Sequence, residues 1–290
     1  MHLVRLLRPA QGLGQFVRCY AQREVQIHNV EVMVPVPARA APLIEFVFGH
    51  RFKVAYCARA ALETSPAAVV VGLQTHRRLQ LHFQEAVECF VILFQPTGLH
   101  RLFSIPMHEL TDQNYEAHSV LGAFISRLEQ RLSDSRSFAA RASLVDEFLL
   151  HRASLSRGYD AISAAANQIV LRGGRERIAP LAHGAGLSVR QFERRFIQQV
   201  GVGPKLYSRI ARFEAALDSK ARSSTKSWTD VAHEFGYHDQ MHLVHDFEEF
   251  TGETPTDTLS QFEMVFREQI KAMRSGRLSE DANGHSRLIL

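Results

Sequence analysis

LAHGAGLSVRQFERRFIQQVGVGPKLYSRIARFEAAL (residues 181–217) and SWTDVAHEFGYHDQMHLVHDFEEFTGETP (residues 227–255) carry one pattern written twice. Ala182, Gly186, Phe192, Phe196, Gly201 and Pro204 recur as Ala232, Gly236, Leu243, Phe247, Gly252 and Pro255, at an offset of 50 that becomes 51 after the first glycine. Each copy reads as helix, tight turn, helix. In the first copy Ile178, Leu181, Ala182 and Ala185 keep the i, i+3, i+4, i+7 spacing of one buried face. Gly186 supplies the left-handed turn, and Ser188 with Gln191 forms a capping box that starts a second helix with Phe192 and Phe196 inward. Arg190, Glu193, Arg194 and Arg195 then fall on or beside its exposed face. In the second copy Ser227 and Asp230 cap a helix carrying Val231, Ala232 and Phe235, and Gly236 ends it. Asp239 is the N-cap of a helix that buries Leu243, Phe247 and Phe250.

Between the copies, Gly203-Pro204 signals a helix start. Leu206, Ile210, Phe213 and Leu217 form one stripe through Lys205 to Arg222, which predicts a continuous helix of about 18 residues, roughly 27 Å long. Major-groove faces of B-DNA recur about every 34 Å, so such a spacer suits two recognition helices entering adjacent grooves.

These two runs closely resemble the DNA-binding domain of AraC/XylS-type bacterial transcription regulators. The resemblance covers roughly a hundred residues and rests on the joint spacing of both halves. It implies a seven-helix reader of double-stranded promoter DNA. Base contacts would come from Arg190, Glu193 and Arg194 in the first recognition helix and from Gln240, Met241, Val244 and His245 in the second. The second motif departs from the family, which often has arginine in place of His245 and basic residues in place of Glu248 and Glu249. Carboxylates near phosphates oppose binding, so the first motif is expected to dominate.

The rest of the chain fits two domains. At 290 residues, 46% hydrophobic and 22% charged, the composition is that of a globular protein with ample core. A net charge of +4 permits nucleic-acid binding without establishing it. Cys19, Cys57 and Cys89 lack metal-like spacing, and an odd count argues against a disulfide framework, so a reducing cytoplasm is expected. Arg5 and Arg8 interrupt the N-terminal apolar residues, which excludes a signal-peptide core. No run approaches the roughly 18 apolar residues of a membrane span.

Before about residue 110 the texture is that of strands. Val30–Val36, Leu43–Phe48, Phe52–Tyr56, Ala67–Val71, Leu79–Phe83 and Glu88–Phe94 are short β-branched or aromatic runs between Pro, Gly and charged residues. Short helices are expected at Gly98–Phe103 and Met107–Leu110. An amphipathic pair follows at Val120–Leu132 and Phe138–Leu150, whose apolar faces suit dimerisation. Ser154–Gly158 reads as a linker and Tyr159–Leu171 as the first helix of the reader. VPARAAPLIEFVF (36–48), VVGLQT (70–75) and FVILFQPTGLHRLFSIPMHELTD (90–112) are similar to the uncharacterised β-rich domain of one AraC-type subgroup, which implies an effector-sensing or dimerising role.

The expected class is therefore α+β. A β-rich, sensor-like domain with helices (1–153) precedes an all-α reader of two helix-turn-helix motifs joined by a long helix (159–268), and a polar tail follows (269–290). The two domains are expected to have separate cores with few contacts between them. Candidate partners are promoter DNA, an unidentified small-molecule effector, RNA polymerase and a second copy of the chain; no cofactor or membrane is expected. The alternative is a regulator-shaped scaffold whose β-domain binds a protein, with residual DNA affinity.

Weaker signals have plainer readings. His233-Glu234 with His238 misses the zinc-protease spacing by one residue. His238, His242 and His245 share a recognition helix without carboxylates to orient them as metal ligands, so solvent or DNA contact is the reading. Glu45 and Glu88 face solvent or pair with arginines. Arg77-Arg78 marks an exposed hairpin end in preference to an anion clamp. Phe16, Tyr20, Phe46, Phe48 and Trp228 are core before they are pocket.

Overall fold

The computed structural model describes residues 2–26, 31–58, 61–156 and 158–274. Among these residues ten strands form two antiparallel sheets. In chain order they are β1 (His2–Leu7), β2 (Val17–Val25), β3 (Val32–Val36), β4 (Leu43–Gly49), β5 (Lys53–Tyr56), β6 (Leu62–Thr64), β7 (Ala68–Val71), β8 (Leu79–Phe83), β9 (Val87–Phe94) and β10 (Asn114–Glu116). The larger sheet has the order β1-β2-β9-β4-β7-β10 and the smaller β3-β8-β5-β6. Period-2 alternation sorts the side chains of the larger sheet. Tyr20, Ile44, Phe46, Val70, Phe90, Ile92 and Phe94 face a helical layer, while Cys19, Ala21, Leu43, Val69, Val71, Val91 and Leu93 share the opposite face. Glu45 and Arg23 lie on that opposite face by register.

The helical layer consists of α1 (Gly98–Phe103), a 3-10 turn at Met107–Glu109, α2 (Ala117–Leu121), α3 (Ala123–Asp134) and α4 (Phe138–Ser154). Its inward residues include Ile125, Leu128, Leu132, Ala142, Val145 and Leu149. The apolar faces expected to pair between two copies are thus already buried against the chain's own sheet. Asp146 fixes α4 in place, accepting from Tyr20 Oη at 2.7 Å and Ala10 N at 2.9 Å. Burial and that neighbouring carboxylate push the Tyr20 hydroxyl's pKa far above its ordinary value. Phe16, Tyr20 and Phe46 are core, with Phe48 packed against them.

Among the described residues eight helices follow: α5 (Ala161–Leu171), α6 (Ile178–Gly184), α7 (Val189–Val200), α8 (Pro204–Arg222), α9 (Trp228–Glu234), α10 (Gln240–Thr251), α11 (Pro255–Val265) and α12 (Arg267–Arg274). Asp160 caps α5, and Leu155 and Ser156 continue as turns after α4. Ser154, expected in the linker, is the last residue of α4, and Arg157 lies outside the described residues. Ile270, in the stretch expected to be a polar tail from 269, is buried within α12; residues 275–290 lie outside the described residues.

Two further expectations need correction. β1 and β2 precede Val30–Val36, the first strand run picked out in the sequence, because Arg18, Gln22, Arg23 and Glu24 break up the apolar pattern of β2. The domains are also joined by more than a few contacts. One buried apolar cluster runs from Val34, Phe52 and Leu79 in the sheets to Ile169, Phe213 and Phe266 in the helices.

Candidate nucleic-acid interface

Both motifs have the local chemistry that their sequences dictate. Ser188 and Gln191 cap α7 reciprocally, as do Ser227 and Asp230 at α9. Asp239 caps α10 by accepting from His242 N at 2.8 Å. Gly186 and Gly236 take φ values of +66° and +70° at the turns, where a Cβ would be strained. Pro204 is the first residue of α8, whose 19 residues span roughly 28 Å.

Burial fixes the orientation of the first recognition helix. Phe192, Phe196 and Val200 of α7 are inward, with Phe196 edge-on to Tyr207 of α8 at 5.4 Å. Arg190, Glu193, Arg194 and Arg195 are exposed. Among the described residues none forms a hydrogen bond or ion pair with the side chains of Arg190, Glu193 or Arg194. The first motif therefore offers free guanidinium groups on its exposed face.

The second recognition helix presents different chemistry. Leu243, Phe247 and Phe250 are buried, with Phe213 of α8 packed edge-on against Phe247 at 4.8 Å. Trp228 is half-buried over the same ring at 5.3 Å. Met241 is 59% exposed, His245 is exposed and Val244 is half-buried. Gln240 is exposed, but its Oε1 accepts from Thr229 Oγ1 at 2.8 Å. The seven candidate contact residues thus fall into two sets, a charged one on α7 and a neutral, softer one on α10.

The acidic residues of α10 are only partly what their sequence suggests. Asp246 is buried and accepts from Arg209 Nε and Nη2 at 3.1 and 2.7 Å. Glu249 accepts from the same guanidinium at 3.2 and 2.6 Å. These bonds to Glu249 and Asp246 raise the Arg209 pKa further. Glu249 is thus spent on holding α10 to α8, and Glu248 remains the outward carboxylate, with His245 Nδ1 at 3.8 Å. Sequence reasoning missed this network; the carboxylates at 246 and 249 on one face, matched by Arg209 on a neighbouring helix, were the available signal. Carboxylates also sit beside the histidines, since His238 Nδ1 lies 3.0 Å from Asp239, but that carboxylate is already capping α10.

The β-domain reaches the C-terminal ends of both recognition helices. Thr111 Oγ1 donates to Gly201 O at 2.9 Å, just past α7. Ala38 N donates to Phe250 O at 2.9 Å, and Arg77 Nη1 donates to Thr251 O at 3.3 Å and Glu253 Oε1 at 3.1 Å. Arg77 is therefore neither a hairpin end in solvent nor an anion clamp; it is a domain contact. Thr97 and Ser163 add a buried hydroxyl pair at 2.7 Å.

A doubled helix-turn-helix on a rigid spacer, with arginines free on its first recognition helix, defines a DNA-binding transcription regulator. Within that class the C-terminal region is an AraC-type domain: residues 181–261 match the family described as "Helix-turn-helix domain", and residues 5–116 match "Domain of unknown function (DUF6597)". Similar solved structures include ToxT from Vibrio cholerae O395, with 10% identity over 83% of this chain and 97% of that one, TM-score 0.46. Another is the unsaturated fatty acid bound ToxT of Vibrio cholerae strain SCE256, with 12% identity, 96% and 98% coverage and TM-score 0.45. A comparison with curated proteins returned no match. Among the described residues no helix is long and apolar enough to cross a membrane.

Proposed function

We propose that this chain reads promoter DNA through adjacent major grooves, with the first motif dominant, and that residues 1–153 control the reader in response to a small-molecule effector. The observation that carries the reading is the asymmetry of the two recognition helices on one spacer. Arg190 and Arg194 are free to bond bidentately to guanine O6 and N7. Gln240, Met241, Val244 and His245 offer an amide, apolar contact and an imidazole, which suits a more degenerate half-site. Residues 159–268 are the reading unit, and the site of action is the cytoplasm, where the chromosome and RNA polymerase are.

Selection of binding sites from random DNA with the full chain tests this. A site with one sharply defined half and one loose half about one helical turn away is the expected result. Arg194→Ala should then cost about 1–3 kcal/mol on that site and relax one base pair. Absence of any selected sequence would favour the protein-binding scaffold instead, and unchanged base preference in Arg194→Ala would remove that residue from the interface.

A further inference from the structure

The two motifs differ in charge far more than in pattern. From Arg172 to Lys226 the chain has twelve lysines and arginines against four carboxylates. From Ser227 to Phe266 it has nine carboxylates, four histidines and no lysine or arginine. Affinity for a duplex comes largely from cations that neutralise phosphates. The second motif can gain positive charge of its own only on its histidines, whose ordinary pKa of about 6.5 lies close to neutral pH.

Geometry divides those four. The His238 side chain, just before the N-cap of α10, is 89% exposed, and that of His245 is 70% exposed. Both lie on the stripe that passes through Met241. Nδ1 of His238 is 3.0 Å from Asp239, and Nδ1 of His245 is 3.8 Å from Glu248. Each ring thus turns Nδ1 to a carboxylate that favours the charged form. That leaves Nε2 for another partner. With the only proton on Nδ1 it presents a lone pair; once protonated it presents an N–H donor that suits a phosphate oxygen. His242 differs: it is half-buried, its ring lies edge-on to Tyr237 at 5.2 Å, and its Nδ1 accepts from His238 N at 3.5 Å, which requires the unprotonated nitrogen. His233 lies in the last turn of α9, as His183 does in α6, so it does not set the motifs apart.

The cations packed around α10 are committed elsewhere. Arg209 of α8 bonds Asp246 and Glu249, and Arg212 lies 3.7 Å from Asp246. Arg77 of the β-domain bonds Thr251 O and Glu253, and Arg175, on the turn before α6, donates to Glu234 O. Among the acids of α9 and α11, Asp230 caps α9, Glu234 pairs with Lys226, Asp257 accepts from Thr254 and Glu263 pairs with Arg274. Asp239 stays ionised, because the bond from His242 N and then that from His238 hold its pKa below the usual carboxylate range. We propose that the second recognition helix takes up protons when it meets DNA: His238 and His245, as imidazolium, make the phosphate contacts that lysine and arginine make in the first motif. The second half-site is then engaged at mildly acidic pH and released as pH rises. This rests on the DNA-reading proposal above and assigns a pH dependence to its second half. Phosphate favours the charged imidazole, so its pKa in the complex lies above that in the free chain. The added affinity is complete below the free value and is lost as pH rises through the value in the complex.

Anisotropy titrations of the full chain with its selected duplex, at about pH 6 and about pH 8 and one ionic strength, test this. If phosphate raises each imidazole from about 6.5 to about 7.5, affinity should be roughly sixfold higher at the lower pH for each histidine. Calorimetry in two buffers of different ionisation heat should register the proton uptake. A duplex carrying the sharply defined half-site alone should respond far less. His238→Gln with His245→Gln should remove the slope. His238→Arg with His245→Arg should remove it too, binding at the higher pH as tightly as the wild type does at the lower. Equal wild-type affinity at both pH values, or a slope that persists in the glutamine pair, would overturn the inference and leave sequence reading in place. Weaker binding by the arginine pair would overturn it as well, because this face of α10 would then meet no phosphate. Failure to select any duplex at either pH would remove the DNA-reading proposal and this inference with it.

Discussion

Removal of the Asp246 carboxylate tests whether the acidic second motif serves the fold. Asp246 is 1% exposed and takes two bonds from Arg209, and its Oδ2 lies 3.7 Å from Arg212 Nη2. Arg209 sits 5.1 Å from the Phe250 ring and Arg212 4.4 Å from that of Tyr237, so both cations are held against aromatic faces that cannot take over a carboxylate's role. Deleting one partner of a buried pair costs about 3–5 kcal/mol. Arg209 keeps Glu249, which places Asp246→Ala near the lower end, about 3 kcal/mol. Glu249 is 51% exposed, and its removal should cost about 1 kcal/mol or less. Asp246→Asn should fall between, because an amide oxygen still accepts from Arg209. Urea unfolding of the full chain, followed by circular dichroism, measures all three. Loss of DNA affinity should follow the same order at urea concentrations where each variant remains folded, because the pair fixes α10 on α8. An Asp246→Ala protein no less stable than Glu249→Ala would refute the reasoning.

Three other outcomes follow from the same geometry. Gly201 has a φ of +113°, and a Cβ there would lie 2.6 Å from Thr111 Oγ1 and 3.1 Å from Met107 O, so Gly201→Ala should cost about 1–3 kcal/mol; an unshifted thermal midpoint would show that this domain contact is not formed. Glu248→Lys should tighten DNA binding and steepen its salt dependence, while Glu249→Lys places a cation beside Arg209 and should destabilise; identical effects of the two would mean that Glu249 is not engaged. Asp160 is opposed by burial, but hydrogen bonds from Gln199 and Ser163 and the charge of Arg101 hold its pKa below the usual value. The ionised form therefore adds stability that is complete above the unfolded value of about 3.9 and is lost as pH falls through the lower folded one. Asp160→Asn should flatten the acid limb of stability against pH, and parallel limbs would count against it.

How much of this was legible in sequence depended on whether the governing physics was local. Capping boxes at Ser188 and Ser227, turn glycines and the stripe of α8 are short-range devices, and the structure has them where the pattern places them. β4, β8 and β9 alternate or run apolar, and were readable for the same reason. β2 was not, because Arg23 and Gln22 are polar residues whose burial depends on partners far along the chain: Glu45 for the first, Glu88 for the second. Glu45 shows the same limit. Its pairing with an arginine was among the expectations, but its place between two sheets follows only from register. The exposed set on α7 and α10 was given by periodicity and resemblance, whereas the role of Glu249 required knowing that α10 lies across α8.

The arrangement of the domain contacts bears on how such a reader can be controlled. Thr111 holds the residue after α7, and Ala38 and Arg77 hold the last turn of α10 and the residues after it, all at C-terminal ends. The seven candidate contact residues lie toward the opposite ends: Arg190, Glu193 and Arg194 in the first half of α7, and Gln240, Met241, Val244 and His245 in that of α10. The spacer α8 fixes the distance between the helices, and the β-domain grips each one behind its reading surface. Two adjacent grooves accept only a narrow range of angles between recognition helices. A shift of the Ala38 segment relative to Thr111 must then alter that angle, or break one of the grips, without any part of the β-domain touching a base. Control of DNA reading from residues 1–153 therefore needs no surface that competes with DNA, only a change in the β-domain that its two grips do not share equally.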